Sequence, residues 1–280
     1  MSAPVAIVTG AAAGLGAAIA ERLAEDFGTL LLLDIEEAAL ADTAARLESL
    51  GVAVHTARCD VRREGDVKNA FDVAASAGSP TALVNGAGIG VFTPFLEITE
   101  DQWDNTFAVN TKGSFLMCRE FVSRTEGPAA IVNIASIGAR LGGDMLAHYG
   151  PSKAAVIEMS HSVARIGATR GLRSNTVMPG LILTDMWLRT IKELRRRDPS
   201  LTDVSDADVF DSFVAQMVPM GRAQTPGDIA EMVAFLLSDK GSQRHRPDDC
   251  RRRRRRDDLI GSMAVSPSAT GRRRAGSWHP

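Results

Sequence analysis

The 280-residue chain has only three cysteines, Cys59, Cys118 and Cys250. They are too few and too scattered for a disulfide framework or a zinc site, so we expect no metal and a reducing, cytoplasmic location. No run of about 18 apolar residues occurs, which argues against a membrane-spanning helix. No basic segment precedes the first apolar run at Val5, which argues against a signal peptide.

Charge is unevenly distributed along the chain. Residues 241–280 hold eleven of the 32 basic residues, all arginine, against four aspartates, so that segment carries +7 and residues 1–240 carry −9. The first 240 residues are therefore expected to form the folded domain, and 241–280 a basic, disordered tail.

Short apolar runs alternate with helical patterns over residues 1–240, which is typical of repeated strand–helix–strand units. Strands are predicted over 5–8, 29–33, 52–57, 82–84, 130–134 and 174–177, and helices over 15–27, 36–50, 64–77, 102–124, 149–170 and 226–237. Because the strands are continuously apolar, both faces of the sheet should be covered. The pattern predicts an α/β fold, a doubly wound, Rossmann-like parallel sheet in a single domain, with its ligand crevice at the carboxyl ends of the strands.

Residues 185–220 interrupt this alternation with a proline-punctuated, charged segment. An insertion of this length favours a small helical lid over an idle loop. The alternative is a solvated helical hairpin without a catalytic role.

A glycine-rich segment, Thr9 to Gly16, joins the first strand to the first helix. Its glycines permit a tight turn and close approach of a pyrophosphate, which the helix N-terminus attracts. Asp34 follows at the end of the second strand, where a carboxylate suits a ribose 2′-hydroxyl and repels a 2′-phosphate. The pattern therefore favours NAD over NADP. Asp34 can instead, or in addition, cap the next helix.

Tyr149 is the only tyrosine of the chain, and Lys153 lies one helical turn beyond it. An adjacent ammonium group favours the phenolate and is expected to lower the pKa of Tyr149, which makes the phenol a general acid–base. Ser136 closes the fifth strand and can hold a substrate oxygen beside Tyr149. Asn110 can position a water that relays protons to Lys153. Taken singly, Ser136 and Asn110 are also compatible with structural roles.

Together these motifs resemble the short-chain dehydrogenase/reductase family from Val5 to about Asp239, including the spacing of Ser136 and Tyr149. The resemblance implies a catalytic tetrad of Asn110, Ser136, Tyr149 and Lys153 that transfers a hydride between nicotinamide and an alcohol or ketone. It implies adenine contacts at 60–61, adenine-ribose contacts at 85–88 and nicotinamide contacts at 179–184. Gly86 departs from the asparagine usual in the family. The implied cofactor-binding residues are Gly10, Ala13, Gly14, Leu15, Gly16, Asp34, Asp60, Val61, Asn85, Ala87, Gly88, Tyr149, Lys153, Pro179, Gly180, Ile182 and Thr184.

The substrate is expected to be a small polyol, diketone or similar secondary alcohol or ketone. Candidate substrate contacts are Met145, His148, Met186 and Trp187, although His148 can equally be a polar neighbour of Tyr149. Two alternatives remain: a 3-oxoacyl-acyl carrier protein reductase, which Asp34 disfavours, and a non-catalytic dinucleotide sensor or nucleic-acid-binding protein that uses the arginines.

The tail departs from the family, whose members continue with a final apolar strand and Val-Asp-Gly-Gly. Suitable codons for Gln243 onward, read one base later, give Asn-Val-Ile-Gly-Gln-Thr-Ile-Ala-Val-Asp-Gly-Gly. We therefore hypothesise a frameshift near Ser242 and expect no nucleic-acid or membrane partner. With an intact C-terminus, a homodimer or homotetramer is expected, and helices 102–124 and 149–170 can pair subunits without it.

Overall fold

The computed structural model describes residues 3–242, so the predictions for the tail lie outside the described residues. The described part contains one parallel sheet with the strand order β3-β2-β1-β4-β5-β6. Its strands are β1 (Pro4–Thr9), β2 (Thr29–Asp34), β3 (Ala53–Arg58), β4 (Ser79–Asn85), β5 (Ala129–Ile134) and β6 (Leu172–Val177). The predicted doubly wound α/β fold is confirmed.

Helices connect the strands and cover both faces of the sheet. They are α1 (Gly14–Leu23), α2 (Glu37–Glu48), α3 (Glu64–Ala77), α4 (Glu100–Phe107), α5 (Ser114–Arg124), α6 (Tyr149–Gly167), α7 (Asp185–Arg197), α8 (Asp206–Met217) and α9 (Pro226–Leu237). Ile19, Leu40 and Val233 pack on one face through α1, α2 and α9. Phe71 and Phe121 pack on the other through α3 and α5. None of the helices within 3–242 has both the length and the hydropathy to cross a membrane.

Strand β3 differs from the expectation that every strand is buried on both faces. It pairs only with β2 among the described strands, and its side chains are exposed or half-buried along its whole length. His55, Thr56 and Arg58 are exposed there, which an edge position permits.

The predicted helix over 102–124 is also more complex than expected. The chain turns from α4 into a π-helical segment, Ala108–Gly113, before α5 begins at Ser114. Thr99 and Gln102 form a reciprocal cap at the start of α4. Such widened turns occur often at functional sites, and this one contains Asn110.

The insertion over 185–220 forms the helices α7 and α8, joined through a short 3₁₀ turn at Pro199–Leu201. Both helices share a small apolar core that includes Ile191 and Phe210. Trp187 lies 5.3 Å, centroid to centroid, from Phe92 in the loop after β4. The insertion is therefore packed against the domain, rather than a solvated hairpin.

Candidate active site

A cavity of about 730 Å³ opens at the carboxyl end of the sheet, the edge that the sequence predicts. The predicted site residues that line it are Gly10, Ala13, Gly14, Leu15, Gly16, Asp34, Asp60, Val61, Ala87, Gly88, Ser136, Tyr149, Lys153, Pro179, Gly180, Ile182, Thr184, Met186 and Trp187. Asn85, Asn110, Met145 and His148 are not among the lining residues. The chain thus brings most of its predicted site together from segments distant in sequence.

The glycine loop between β1 and α1 forms one wall of this cavity. Gly10 and Gly14 have φ of +71° and +55°, which glycine adopts readily. A Cβ at Gly16 would lie 1.9 Å from the Gly10 carbonyl oxygen. The close approach of the turn to the helix therefore requires glycine at this position. Ala13 provides no side-chain cap to α1, whose first turn contains no acidic residue. The free N–H groups of α1 therefore fit the pyrophosphate of a dinucleotide.

Asp34, at the end of β2, joins the glycine loop to the start of α2. Its Oδ2 accepts a 3.0 Å hydrogen bond from Ala12 N, and its Oδ1 accepts a 2.7 Å bond from Ile35 N. Asp34 also lines the cavity, but it does not cap the next helix, because the N-cap residue of α2 is Glu36 and α2 has no side-chain cap hydrogen bond. The cavity is also lined by Glu36, so two carboxylates face a ligand here.

The carboxylate of Asp60, which follows β3, is held by Arg62 at 2.7 Å. Hydrogen bonds from Arg62 keep the pKa of Asp60 below its usual value. Arg62 also donates a 2.8 Å bond to Asn105 Oδ1 on α4. The adenine contact of Asp60 stays a prediction. A bound adenine would have to share the carboxylate oxygens with Arg62.

Asn85, at the end of β4, does not point into the cavity. Its Nδ2 donates a 2.8 Å bond to Asn133 Oδ1 and a 3.2 Å bond to Cys118 Sγ, in a buried network beneath α5. The expected contact of Asn85 with the adenine ribose stays a prediction, and this geometry leaves only its backbone for it. The following loop does line the cavity, and a Cβ at Gly86 would lie 2.6 Å from the Thr9 carbonyl oxygen. Gly86 therefore fits where an asparagine would clash.

Tyr149, Ser136 and Lys153 converge at the other end of the cavity. Tyr149 is the first residue of α6 and forms a hydrogen bond with Ser136, which follows β5. Lys153 Nζ lies 5.9 Å from the centroid of the Tyr149 ring and donates a 2.9 Å bond to the Ile134 carbonyl oxygen. A phenol, a hydroxyl and an amine thus share one wall, as the motif predicts.

The expected lowering of the Tyr149 pKa does not occur in this structure. Burial raises the pKa of the Tyr149 phenol, and the hydrogen bond with Ser136 opposes this only in part. Burial lowers the pKa of Lys153 to about 8. Desolvation therefore dominates both groups, since the Lys153 amine is directed to Ile134 rather than to the phenol.

Asn110 is fully buried in the π-helical segment, and Gly88 lies between it and the amine of Lys153. A Cβ on Gly88 would lie 3.0 Å from Lys153 Nζ and 3.2 Å from Asn110 Oδ1. The Asn110 amide accepts a 2.8 Å bond from Ile89 N and donates one of 2.9 Å to Ile89 O. Asn110 therefore fixes the loop after β4, and its role in a water relay stays a prediction.

The loop after β6 faces the glycine loop across the cavity. The Thr184 side chain lies 4.0 Å from the position of a Cβ on Gly14. Pro179 O accepts a 2.9 Å bond from Ile137 N, which ties this loop to the segment after Ser136. The predicted nicotinamide-binding segment, 179–184, is thus close to the glycine loop at one end and bonded to the segment after Ser136 at the other.

The four candidate substrate residues divide into two pairs. Met186 and Trp187 line the cavity, whereas Met145 and His148 do not. His148 is 3% exposed at the start of α6, burial lowers its pKa, and its Nδ1 has no hydrogen-bond partner within residues 3–242. A substrate contact by His148 is therefore not supported, because its ring is enclosed by protein.

Three residues that the sequence reasoning did not identify shape the site. Gly90 packs against Tyr149, where a Cβ would lie 2.6 Å from a ring carbon. Ser152 Oγ accepts a 3.0 Å hydrogen bond from Asn110 Nδ2. Its position in the sequence between Tyr149 and Lys153 could have indicated a role in the site. Gln224 contacts the loop after β6, and no local pattern identifies it.

Comparisons with known proteins identify the family of this chain. A family model described as enoyl-(acyl carrier protein) reductase matches residues 10–243. An (S)-acetoin-forming diacetyl reductase of Staphylococcus epidermidis is 33% identical over 238 residues, covering 83% of this chain and 91% of the relative. A D-threitol dehydrogenase of Mycolicibacterium smegmatis is 35% identical over 238 residues, with 84% and 86% covered.

Among solved structures, NAD⁺-bound xylitol dehydrogenase has a TM-score of 0.79 and 31% identity, and covers 86% of this chain and 94% of its own. The chain belongs to the short-chain dehydrogenase/reductase family. The predicted class of enzyme, an oxidoreductase acting on CH–OH groups or ketones, is confirmed by these matches.

Proposed function

We propose that residues 1–240 form an NAD-dependent catalytic domain that oxidises a small secondary alcohol or reduces the corresponding ketone. The observation that carries this proposal is the convergence of Tyr149, Ser136 and Lys153 on the wall of a cavity whose other end holds the glycine loop and Asp34. Bound nicotinamide would supply or accept the hydride.

The chain's own residues manage the oxygen and the proton. Ser136, already bonded to the phenol, holds the substrate oxygen by a second hydrogen bond. Tyr149 then donates its proton to a ketone oxygen in reduction, or removes the hydroxyl proton in oxidation. Lys153, with a pKa of about 8, is mostly protonated at pH 7 and keeps positive charge near the developing phenolate. It also binds the nicotinamide ribose, while Asn110 holds the loop on the other side of the amine.

NAD is preferred to NADP in this proposal. Asp34 and Glu36 line the cavity at the end of β2, where their oxygens accept hydrogen bonds from ribose hydroxyls. A phosphate at that position would face two negative charges. For the same reason, a phosphate-bearing cofactor of a 3-oxoacyl-acyl carrier protein reductase is disfavoured.

The substrate is a small polyol, diketone or similar molecule. Met186 and Trp187 contribute apolar surface to the cavity that Tyr149 also lines, and the names of similar enzymes refer to diacetyl, threitol and xylitol. A wall of this kind excludes water from the reacting carbon without imposing many polar contacts.

We also propose a homodimer that pairs through α4 and α5. Trp103 is 39% and Phe115 46% exposed there, and the Trp103 ring stacks on Phe107 at 4.9 Å. Large exposed aromatic side chains on consecutive helices are typical of protein interfaces. Size-exclusion chromatography of Phe115→Asp should show a shift toward monomer, whereas Leu50→Asp, a matched change on another surface, should not.

The experiment that tests the proposed function is the Tyr149→Phe variant, assayed with NAD and NADP against diacetyl, threitol and xylitol. Phenylalanine preserves the ring that packs on Gly90 but removes the proton donor. Turnover should disappear while NADH binding, measured by fluorescence titration, stays close to wild type. Turnover within about tenfold of wild type would refute the role, because general acid–base catalysis contributes about 10²–10⁴-fold.

A further inference from the structure

Arg189 lies on the lid helix α7 and lines the cavity. Its side chain is exposed, and within residues 3–242 it forms neither a hydrogen bond nor an ion pair. The residues of α7 that line the cavity are Asp185, Met186, Trp187, Arg189 and Thr190. Arg189 therefore presents a guanidinium with unused donors at the mouth of the proposed active site.

The other cationic residues that line the described cavity already have partners. Lys153 is buried and donates to the Ile134 carbonyl oxygen. Arg62 is held by Asp60 and Asn105. Of the cationic residues that line the described cavity, Arg189 is thus the one without a hydrogen-bond or ion-pair partner in residues 3–242.

The surroundings of Arg189 favour a bound anionic ligand as its partner, rather than a carboxylate side chain of the protein. Helix α7 begins beside the glycine loop, with Thr184 4.0 Å from the Cβ position of Gly14, so the N-termini of α1 and α7 meet there. Side chains of a helix lean toward its N-terminus, which favours a position of the Arg189 guanidinium on the side of this junction. Asp185 lies one turn earlier but forms no ion pair with Arg189, and it is stabilised instead by its place in the first turn.

We propose that Arg189 is an anion-binding residue that holds phosphate or carboxylate oxygens at the cavity mouth. Its planar fork suits such groups in bidentate geometry. Two sources supply this chemistry: the pyrophosphate of the dinucleotide, or an anionic group on the substrate. The inference rests on the proposed function, since it assigns a ligand contact within the same cavity.

The first arm of the test measures binding without turnover. ADP-ribose, which carries a pyrophosphate, and adenosine, which does not, are titrated by calorimetry into wild type, Arg189→Ala, Arg189→Lys and Lys192→Ala. Lys192 is an exposed cation of the same helix outside the cavity lining, and so a matched control. Arg189→Ala should weaken the binding of ADP-ribose about five- to tenfold, less than the loss of a buried hydrogen bond to a charged group, because the site is exposed. Adenosine should be unaffected, and lysine should restore part of the loss.

The second arm compares kcat/KM for a ketone and for its carboxylate-bearing analogue. A loss confined to the carboxylate-bearing substrate, with ADP-ribose binding unchanged, places the anion on the substrate and supports the proposal. Effects below about twofold in both arms, or equal effects of Lys192→Ala, overturn it. Wild type that binds ADP-ribose but turns over no alcohol or ketone refutes the proposed function instead, while the binding arm still decides the role of Arg189.

Discussion

The Oε1 atom of Gln224 accepts a 2.6 Å hydrogen bond from the backbone N–H of Gly180. The backbone N–H of Gln224 in turn donates a 3.0 Å bond to the Leu181 carbonyl oxygen. These two bonds attach the cavity loop after β6 to the segment between α8 and α9. Gln224 is therefore a positioning residue: it acts on a bound ligand only through the loop that it holds.

Replacing Gln224 with alanine should loosen this loop without removing any group that contacts the reacting atoms. We expect KM for the cofactor to rise about three- to tenfold, the effect of one hydrogen bond, with a smaller change in kcat. Gln102→Ala is the control, because Gln102 also accepts a backbone hydrogen bond, from Thr99, but does not line the cavity. An unchanged KM, or an equal change in Gln102→Ala, would contradict the positioning role.

The buried amine of Lys153 should make stability depend on pH in a defined direction. Its pKa falls from 10.5 to about 8 in the folded chain, so between those values the unfolded chain binds more protons. Stability must then rise with pH across this window. Below pH 8 the native state bears the full cost of keeping the buried amine charged, about 3 kcal/mol.

The Lys153→Met variant isolates this effect, because other titrating groups are common to both proteins. Its Tm relative to wild type should be highest near pH 7 and should decline as the pH rises from 8 to 10.5. The loss of the hydrogen bond to Ile134 lowers the Tm of the variant at every pH and does not change the slope. Parallel Tm curves for the two proteins across this range would show that the amine is not desolvated.

Asp34→Asn tests the proposed preference for NAD. Asparagine keeps an acceptor oxygen for Ala12 N or Ile35 N but removes the charge that opposes a 2′-phosphate. The ratio of kcat/KM for NAD to that for NADP should fall about tenfold or more, corresponding to about 1.4 kcal/mol. Glu37→Gln, in the first turn of α2 but outside the cavity lining, should leave the ratio unchanged. An unchanged ratio in Asp34→Asn would mean that another group selects the cofactor.

The sequence predicted those parts of the site that local spacing encodes. Tyr149 and Lys153 share a helix turn, and the glycine loop lies between a strand and a helix, so their relation follows from short-range geometry. The features that the sequence did not predict depend on side-chain orientation and on long-range packing. Asn85 ends a strand at the crevice, yet its side chain turns to Asn133. The raised pKa of Tyr149 reflects burial, which no motif reports.

Contacts between segments distant in the sequence could not be predicted from local patterns either. Gln224 and Gly180 are 44 positions apart, and nothing in either segment identifies the other. The π-helical segment around Asn110 depends on tertiary packing that a continuous helical pattern conceals. The assignments of the catalytic tetrad and of a cytoplasmic location stay predictions.

The edge of the sheet at β6 offers a test of the frameshift hypothesis. Within residues 3–242, β6 pairs with β5 on one side only. Arg173 in β6 donates hydrogen bonds to the carbonyl oxygens of Leu236 and Gly241, so the chain near Ser242 lies beside this edge. The family match ends at residue 243, where the alternative frame begins to give an apolar strand sequence.

A chain that carries the alternative-frame residues should add a strand beside β6 and gain stability. Against a chain ending at Ser242, we expect a higher Tm, about 2–4 °C for each kcal/mol gained, and slower hydrogen exchange of amides in Leu172–Val177. The β3 amides at the opposite edge are the internal control, because their pairing does not change. Equal exchange at β6 in the two chains, or codons at 243–254 that cannot give the alternative residues, would reject the hypothesis. Slower exchange confined to β6 is the outcome that a newly paired edge requires, since backbone amides of an unpaired edge exchange through solvent contact.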